Sequence, residues 1–156
     1  MSKNAKYTVI RDTREQRGWN FDASDRCLGT QIGTLKTGDY SLLGFEDQFV
    51  IERKGSPAEL ATNLFQKRFH AELARLDKFK HAYLFLEFGM EHVINFPHLS
   101  GVPEKFKQHL KMTPQLFLMR LHEIQIEHPG LKVLFVGKYG REVASSLFKR
   151  VVDASK

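Results

Sequence analysis

The sequence predicts an α/β domain in which a mixed central sheet is flanked by helices. Two observations indicate this class: short strand-like segments crowd the first half, and strand and helix patterns alternate in the second. A third is the length, because 156 residues suffice for one domain with a sizeable hydrophobic core. Since no internal repeat or long linker divides the sequence, residues 1–156 are predicted to form a single domain.

Four strands are predicted in the first half. Residues 6–11 (KYTVIR) combine β-branched and aromatic side chains, and residues 30–36 alternate apolar and polar positions. Residues 40–43 and 48–53 have the pattern of a strand pair joined through 44–47. The first half is therefore expected to be rich in hairpins.

A helix with a clear start follows the fourth strand. Ser56 is a capping residue, Pro57 takes the first helical position, and Glu59 lies three residues after the cap. Apolar residues at helical spacing continue the pattern to Leu76, which predicts one helix over this stretch.

The second half predicts alternating strands and helices. In the order strand, helix, strand, helix, they are 82–88, 116–126, 131–136 and 140–154. Both strands are nearly all apolar, which is typical of strands covered on two faces. Thr113 and Pro114 repeat the cap-plus-proline start. Segment 89–112, rich in His, Pro and Lys, is expected to form short helices or a mobile lobe.

Composition narrows the class of protein. The net charge of +6 favours a polyanionic partner such as nucleic acid. The single cysteine, Cys27, excludes an internal disulfide and fits a reducing compartment. No apolar run reaches the roughly 20 residues that span a bilayer, and no apolar segment behind Met1 resembles a secretory signal. We therefore expect an intracellular protein without membrane contact, cytoplasmic and nucleoid-associated, or nuclear in a eukaryotic or viral setting.

Charged residues at the ends of two neighbouring strands predict a reactive site. Asp39 follows a glycine, and Glu52, Arg53 and Lys54 follow an apolar strand. The two carboxylates are expected to meet on one side of the sheet, where their oxygens suit Mg²⁺ or Mn²⁺. Lys54 shares a face with Glu52 because strand side chains alternate. This pattern predicts a phosphodiester-cleaving centre, and the alternative is a surface strand that ends in charges.

The neighbouring charges have several possible roles. Lys54 is predicted to stabilise charge in the transition state. Arg53 is expected to face away from Lys54. It is expected to form either a structural ion pair or a contact with a phosphate. Asp12, after the first strand, is placed to join the metal ligands or to hold a ligand water. Arg14 and Glu15 are expected to support the site, by a phosphate contact and by orientation respectively.

Three motifs in this order resemble the nuclease domain of the XPF family, structure-specific endonucleases that cut branched DNA. They are the DTRE segment at 12–15, the GD pair at 38–39 and the ERK triplet at 52–54. Further matches are RFHAEL at 68–73, LEF at 86–88, HPGLKVL at 128–134 and the closing helix, so the likeness covers residues 7–152.

The resemblance implies a restriction-endonuclease-like fold and divalent-metal-dependent hydrolysis of DNA at junctions, flaps or forks, as in repair or recombination. It also implies a homodimer or heterodimer. The implied metal ligands are Asp12, Asp39 and Glu52. Lys54 is implied as catalytic, and Arg14, Glu15 and Arg53 as supporting residues.

Two features depart from the family pattern. The family often has an aspartate four residues after the lysine, where this chain has Ala58. Ser56 and Glu59 are expected to substitute if that aspartate steadies the helix start, at about 1 kcal/mol for each cap interaction. The chain also ends without the helix-hairpin-helix module that family members commonly append.

Basic side chains outside the motifs are predicted to bind the DNA backbone, and solvation of a charged helix face is the alternative. Together with Arg14 they are Lys67, Arg68, Lys105, Lys107 and Lys111. The seven histidines lack zinc-ligand spacing and are read as packing and surface residues.

Two other functions remain open. One is a catalytically weak or inactive module of the same fold, used for DNA binding or dimerisation. The other is a different metal-dependent enzyme of nucleotide metabolism, which the basic charge disfavours. The closing helix at 140–154 is either a dimer face or a helix buried in its own domain.

Overall fold

The computed structural model describes residues 4–107 and 109–155. Its described part contains a six-stranded sheet in the order β2-β1-β3-β4-β5-β6. The strands are β1 (Tyr7–Asp12), β2 (Cys27–Gly33), β3 (Tyr40–Leu42), β4 (Phe49–Lys54), β5 (His81–Leu86) and β6 (Leu131–Phe135). The helices are α1 (Pro57–Asn63), α2 (Lys67–Asp77), α3 (Met90–Ile94), α4 (Glu104–Lys107), α5 (Pro114–Glu127) and α6 (Gly140–Ala154), with a 3₁₀ turn at Gly137–Tyr139.

The sheet is mixed, as predicted. Strand β3 pairs antiparallel with β1 and β4, whereas β1–β2, β4–β5 and β5–β6 are parallel pairs. Only β3 and β4 are joined as a hairpin among the described strands, so the expectation of a hairpin-rich first half is wrong. The second strand also lies three residues earlier than predicted. It ends before Leu35, whose N–H donates to the Asp12 carboxylate, 2.8 Å away, instead of to a neighbouring strand.

The long helix predicted after β4 is two helices. Helix α1 ends at Asn63, and Gln66 has an extended backbone (φ −102°, ψ 126°) before α2 begins. Turn hydrogen bonds join Phe65 N–H to Thr62 O and Gln66 N–H to Asn63 O. Apolar residues at helical spacing continue across this break, which is why the sequence pattern did not reveal it.

Hydrophobic cores lie on both faces of the sheet. Alternation along β4 and β5 sends Val50 and Leu84 to a core with α1, α2 and α5, and Ile51 and Phe85 to the other. Phe148 of α6 is fully buried in this second core. The apolar face of α6 is thus buried in its own domain, which is the alternative to a dimer face.

The second half follows the predicted order with one correction. Strand β5 is covered on both faces, but β6 is an edge strand that pairs with β5 alone among the described strands, and Phe135 is 38% exposed. Full burial of this strand was therefore a wrong expectation. The region 89–112 contains the short helices α3 and α4, as expected. No helix in the described part of the chain is long and apolar enough to cross a membrane.

Candidate active site

A cavity of about 410 Å³ lies where β1 ends, β3 begins and β4 ends, with α2 beside it. Asp12 N–H donates to Asp39 O (2.9 Å), and Asp39 N–H donates to Ile51 O (2.8 Å). These bonds bring the ends of the strands together. Predicted site residues among those that line the cavity are Asp12, Arg14, Asp39, Glu52, Lys54 and Arg68.

Asp39 is held in place by a tight backbone approach. Gly38 has φ +86°, and a Cβ there would lie 2.0 Å from a methyl group of Val50, so glycine is required. The Asp39 carboxylate accepts a 2.7 Å hydrogen bond from the Arg53 N–H. Burial raises the pKa of Asp39 to about 7, opposed by that hydrogen bond and reinforced by the Glu15 carboxylate.

Glu52 and Lys54 share the cavity face of β4, as the strand alternation predicted. Glu52 is only 7% exposed, and burial, Asp39 and the Glu72 carboxyl group raise its pKa well above the usual value. Lys54 Nζ lies 3.7 Å from Glu52 Oε1 and 4.9 Å from the ring centroid of Phe69. The site therefore joins two desolvated carboxyl groups to one buried ammonium.

Asp12 lies in the cavity wall, but its oxygens are already engaged. They accept hydrogen bonds from Arg14 Nε (2.7 Å), Arg14 N–H (3.1 Å) and Leu35 N–H (2.8 Å). These bonds outweigh burial and lower the pKa of Asp12. A metal-ligand role for Asp12 stays a prediction. Its observed contacts fix the ends of β1 and β2 and hold the exposed guanidinium of Arg14 at the cavity.

Arg53 points away from Lys54 and forms the ion pair that the sequence left as one alternative. Its guanidinium lies 2.6 Å from Glu87 Oε1, 3.5 Å from Glu15 Oε2 and 3.8 Å from the Trp19 ring centroid. Only 13% of the side chain is exposed. Arg53 and Glu15 therefore support the site by fixing the strand end.

The helix start beside Ala58 has the predicted capping contacts. Ser56 Oγ accepts a hydrogen bond from Glu59 N–H at 3.1 Å, as the capping pattern predicted. The Glu59 carboxylate accepts from Gly55 N–H at 3.1 Å and lies 3.7 Å from Lys54 Nζ. Glu59, one residue after the position at which the family often has an aspartate, thus lies close to Lys54.

The donor set in the cavity fits a hard divalent cation. Asp39 and Glu52 offer carboxylate oxygens, and the hydroxyl of Thr37 is buried in the same cavity without a hydrogen-bond partner. Within residues 4–107 and 109–155, no three His, Cys, Asp or Glu side chains already have the arrangement of a metal centre. Binding therefore requires carboxylate side chains to reorient around the ion.

Glu72 of α2 is a cavity residue that received no role from the sequence. It lines the same cavity as Glu52, and its carboxyl group contributes to the raised pKa of Glu52. Arg68, Glu72 and Arg75 all line the cavity. Their spacing of four and three residues places them on one helix face, a signal that is visible in the sequence but points to a site only once α2 is docked on the sheet.

The other predicted DNA-binding lysines lie outside this cavity. Lys67 is exposed at the start of α2. Lys105 and Lys107 belong to α4, where Lys107 pairs with Glu104 at 2.7 Å. Lys111 lines a separate groove with Phe65. The structure therefore brings Arg14 and Arg68 to the acids and leaves the lysines on the surrounding surface.

Two solved structures are similar to this chain. One is XPF from Aeropyrum pernix, with 17% identity and a TM-score of 0.62, covering 94% of this chain and 65% of that one. The other is XPF from Aeropyrum pernix in complex with DNA, with 16% identity, a TM-score of 0.61, and coverage of 97% and 67%. The chain spans about two thirds of the length of these structures. The likeness confirms the predicted restriction-endonuclease-like fold.

The sequence itself matches a family model. The ERCC4 domain matches residues 11–144, which include every residue predicted for the site. No protein with a curated description matches the chain. The resemblance to the XPF family that the motifs indicated is thereby confirmed, and the chain belongs to the ERCC4 domain family, a family of nucleases.

Proposed function

We propose that this protein is a divalent-metal-dependent DNA endonuclease that hydrolyses phosphodiester bonds at branched, flap or fork structures. One observation carries the proposal: Asp39, Glu52 and Lys54 meet in a cavity that also contains the guanidinium groups of Arg14 and Arg68. Oxygen ligands for a cation and positive charges for a phosphate are the components that metal-assisted phosphodiester cleavage requires.

Each residue has a defined part in this mechanism. Asp39 and Glu52 would hold Mg²⁺ or Mn²⁺, which would supply Lewis-acid polarisation of a phosphoryl oxygen and activation of water. Lys54 holds its ammonium beside Glu52, where negative charge on the reacting phosphate is stabilised. Arg14 and Arg68 bind and orient the phosphate.

DNA is the substrate that the charge distribution favours. The chain carries +6, arginines line the cavity, and exposed lysines lie on α2 and α4. Phosphate contacts by Lys67, Lys105, Lys107 and Lys111 would extend the binding surface beyond the cavity. The similar structure from Aeropyrum pernix is a complex with DNA, which supports the same class of ligand here. An intracellular role in repair or recombination, as a homodimer or heterodimer, accords with this activity.

The test uses labelled flap, fork, nicked and linear duplex DNA, with Mg²⁺, with Mn²⁺ and with EDTA. We expect metal-dependent cutting that is strongest on a branched substrate. Glu52→Gln is expected to bind DNA but to cut almost nothing, whereas Glu123→Gln, an acid of α5 paired with Arg120, should cut like the parent protein. Equal cutting in EDTA would refute the metal mechanism.

A second candidate is a DNA-binding or dimerisation module that lacks catalysis. It is favoured by the engaged oxygens of Asp12 and by the lack of a preformed metal centre within the described residues. The same experiment separates the two functions. Binding of branched DNA without cutting under every metal condition would establish the module in place of the enzyme.

A further inference from the structure

We propose that the groove next to the catalytic cavity binds unpaired bases of a single DNA strand, with the ring of Phe65 as the surface on which a base stacks. The inference rests on the DNA-binding part of the proposed function. It names the part of a branched substrate that leads into the cleavage site, and it gives a role to a groove that the sequence motifs do not include.

The groove is lined by α1, by the turn after α1 and by the segment 96–112. Its volume is about 600 Å³, and cavities of roughly 300–1,000 Å³ hold small organic groups, so it has room for a nucleobase. Most of its lining is apolar and includes Ala58, Ala61, Phe65, Phe96, Val102 and Met112. Such a lining suits the flat apolar face of a base better than a hydrated phosphate.

Phe65 is the exposed aromatic ring of this groove. It lies in the turn between α1 and α2, where its N–H donates to Thr62 O at 3.2 Å. Its apolar neighbours Leu64 and Phe69 are 3% and 2% exposed, whereas Phe65 is 48% exposed. The ring therefore lies at the surface beside the break in the helical pattern, where a base can stack on it.

The groove adjoins the catalytic cavity. Gln66 lines both, and its Oε1 accepts a 3.1 Å hydrogen bond from Nδ2 of Asn63, which also lines the catalytic cavity. This pair of amide side chains forms the boundary between the two spaces. A strand with one phosphate in the catalytic cavity can therefore continue past Gln66, so that a neighbouring base enters the groove.

The charge of the groove matches a polyanion. No Asp or Glu is among the described residues that line it, and the exposed side chain of Lys111 adds a positive charge. Lys105 lies on the same segment, with its Nζ 4.9 Å from the ring centroid of Phe106. Positive charge beside an exposed aromatic ring is the combination that binds single strands without sequence preference.

Ala58 departs from the family pattern at a position in the groove wall. The family often has an aspartate here, and a carboxylate on this wall would repel the phosphates of a bound strand. Alanine removes that repulsion and extends the apolar surface of α1 that begins the groove. The departure therefore suits the groove of this chain to a nucleic acid strand.

An unpaired strand fits the groove better than duplex DNA does. The faces of bases inside a duplex are covered by their neighbours, so a base must be unpaired before it can stack on a protein ring. Flap and fork substrates contain unpaired bases next to the bond that is cut. The groove would thus contribute to a preference for branched DNA.

Binding of single strands in EDTA tests the inference without cleavage. Fluorescence anisotropy compares labelled oligothymidine of about 12 nucleotides with an abasic oligomer of the same length, for the parent, Phe65→Ala and Phe65→Trp. The abasic oligomer keeps the phosphates but lacks bases, so the ratio of the two affinities measures base contacts alone. We expect the parent to prefer oligothymidine by at least about fivefold, Phe65→Ala to lose most of that preference, and Phe65→Trp to keep it.

Phe65→Trp also gives a direct signal, because a stacked base quenches tryptophan emission. The parent supplies the baseline, since its one tryptophan, Trp19, packs on Tyr40 with ring centroids 5.2 Å apart. We expect oligothymidine to quench Phe65→Trp more than the parent, and the abasic oligomer to quench both equally. Equal quenching of the two proteins by oligothymidine would show that no base stacks at position 65.

Tyr139→Ala is the matched control. Tyr139 is an aromatic residue that is 58% exposed and lines neither the groove nor the catalytic cavity. Its removal should leave the base preference unaltered, and an equal loss in Tyr139→Ala and Phe65→Ala would overturn the assignment. Circular dichroism checks that each variant is folded.

Ala58→Asp tests the groove by a second route. The added carboxylate should weaken oligothymidine binding several-fold at low salt, and the difference from the parent should shrink as the salt concentration rises. Affinity equal to that of the parent at low salt would place the strand outside the groove.

The outcomes separate this inference from the proposed function. If the parent cuts branched DNA and Phe65→Ala keeps the base preference, only the inference is refuted. If Phe65→Ala keeps the preference but dissociates a dimer seen for the parent by sedimentation, the groove is an interface between copies of the chain. If the base preference depends on Phe65 but no metal supports cutting, the groove assignment holds and the catalytic proposal fails. Absence of all DNA binding would refute both.

Discussion

The guanidinium of Arg53 lies 3.8 Å above the ring of Trp19. The same group pairs with Glu87 after β5, and the Trp19 N–H donates to the hydroxyl of Tyr40 at 2.5 Å. Arg53 thereby links the end of β4 to the segment of Trp19 and to the residue that follows β5. Because its neighbours in sequence are Glu52 and Lys54, this anchor fixes the strand that carries both reactive side chains.

Arg53→Lys should destabilise the fold although the charge is kept. Lysine cannot stack on Trp19 or bind Glu87 and Glu15 with a planar group, and the site is only 13% exposed. We expect the free energy of unfolding, measured by urea denaturation, to fall by about 1–3 kcal/mol. Arg14→Lys, at an exposed guanidinium, is the control with a smaller loss. An unchanged urea midpoint for Arg53→Lys would contradict the anchor.

Lys54→Met is expected to abolish most cleavage but to leave cation binding intact. Methionine keeps an apolar stem against Phe69 and removes the ammonium beside Glu52. Loss of one preorganised charge typically lowers the rate by about 10²–10³-fold. Single-turnover cleavage and Mn²⁺ binding are the measurements. Lys132→Met, at an exposed lysine of the edge strand β6, is the control, and cleavage by Lys54→Met at the parent rate would remove Lys54 from the mechanism.

Arg68→Gln should weaken DNA binding in a salt-dependent way. The slope of log K against log salt concentration is expected to decrease in magnitude by about 0.9 for the phosphate contact that is lost. Binding is measured by fluorescence anisotropy over a series of salt concentrations. Lys132→Gln, on the edge strand β6, removes the same charge as Arg68→Gln and should leave the slope unaltered. Identical slopes for the two variants would place Arg68 outside the interface.

Ser56→Ala should lower stability by about 1 kcal/mol, the usual effect of losing an N-cap side chain. The hydroxyl accepts the Glu59 N–H at 3.1 Å, directly after the strand that ends in Lys54. Thr113→Ala removes the corresponding cap of α5, where Thr113 Oγ1 accepts the Leu116 N–H at 3.2 Å. Urea denaturation should show similar losses for both variants. If the free energy of unfolding falls in Thr113→Ala but not in Ser56→Ala, the Ser56 cap does not stabilise α1.

Local patterns in the sequence located many elements because their causes are local. The caps at Ser56 and Thr113 form as predicted, and α6 has the predicted bounds. Strand alternation correctly placed Glu52 and Lys54 on one face and Arg53 on the other. Each of these features depends on residues only a few positions apart.

Other features depend on distant partners and were not predictable in this way. The second strand ends early because a residue 23 positions away, Asp12, takes the Leu35 N–H. The break between α1 and α2 occurs within a continuous helical pattern, at a turn after Asn63. The edge position of β6 follows from the order of strands in the sheet, which hydropathy does not specify.

The sequence alone identified the reactive groups. They are an acid directly before β3, an acid within β4, and a lysine two residues after the second acid, on the same face of the strand. Docking of α2 on the sheet decided which carboxylates share the cavity, since it adds Glu72 to the wall that contains Glu52, while Asp12 is occupied by Arg14 and Leu35. Spacing along one element sets the direction of a side chain, but its partner across the cavity depends on how whole elements pack.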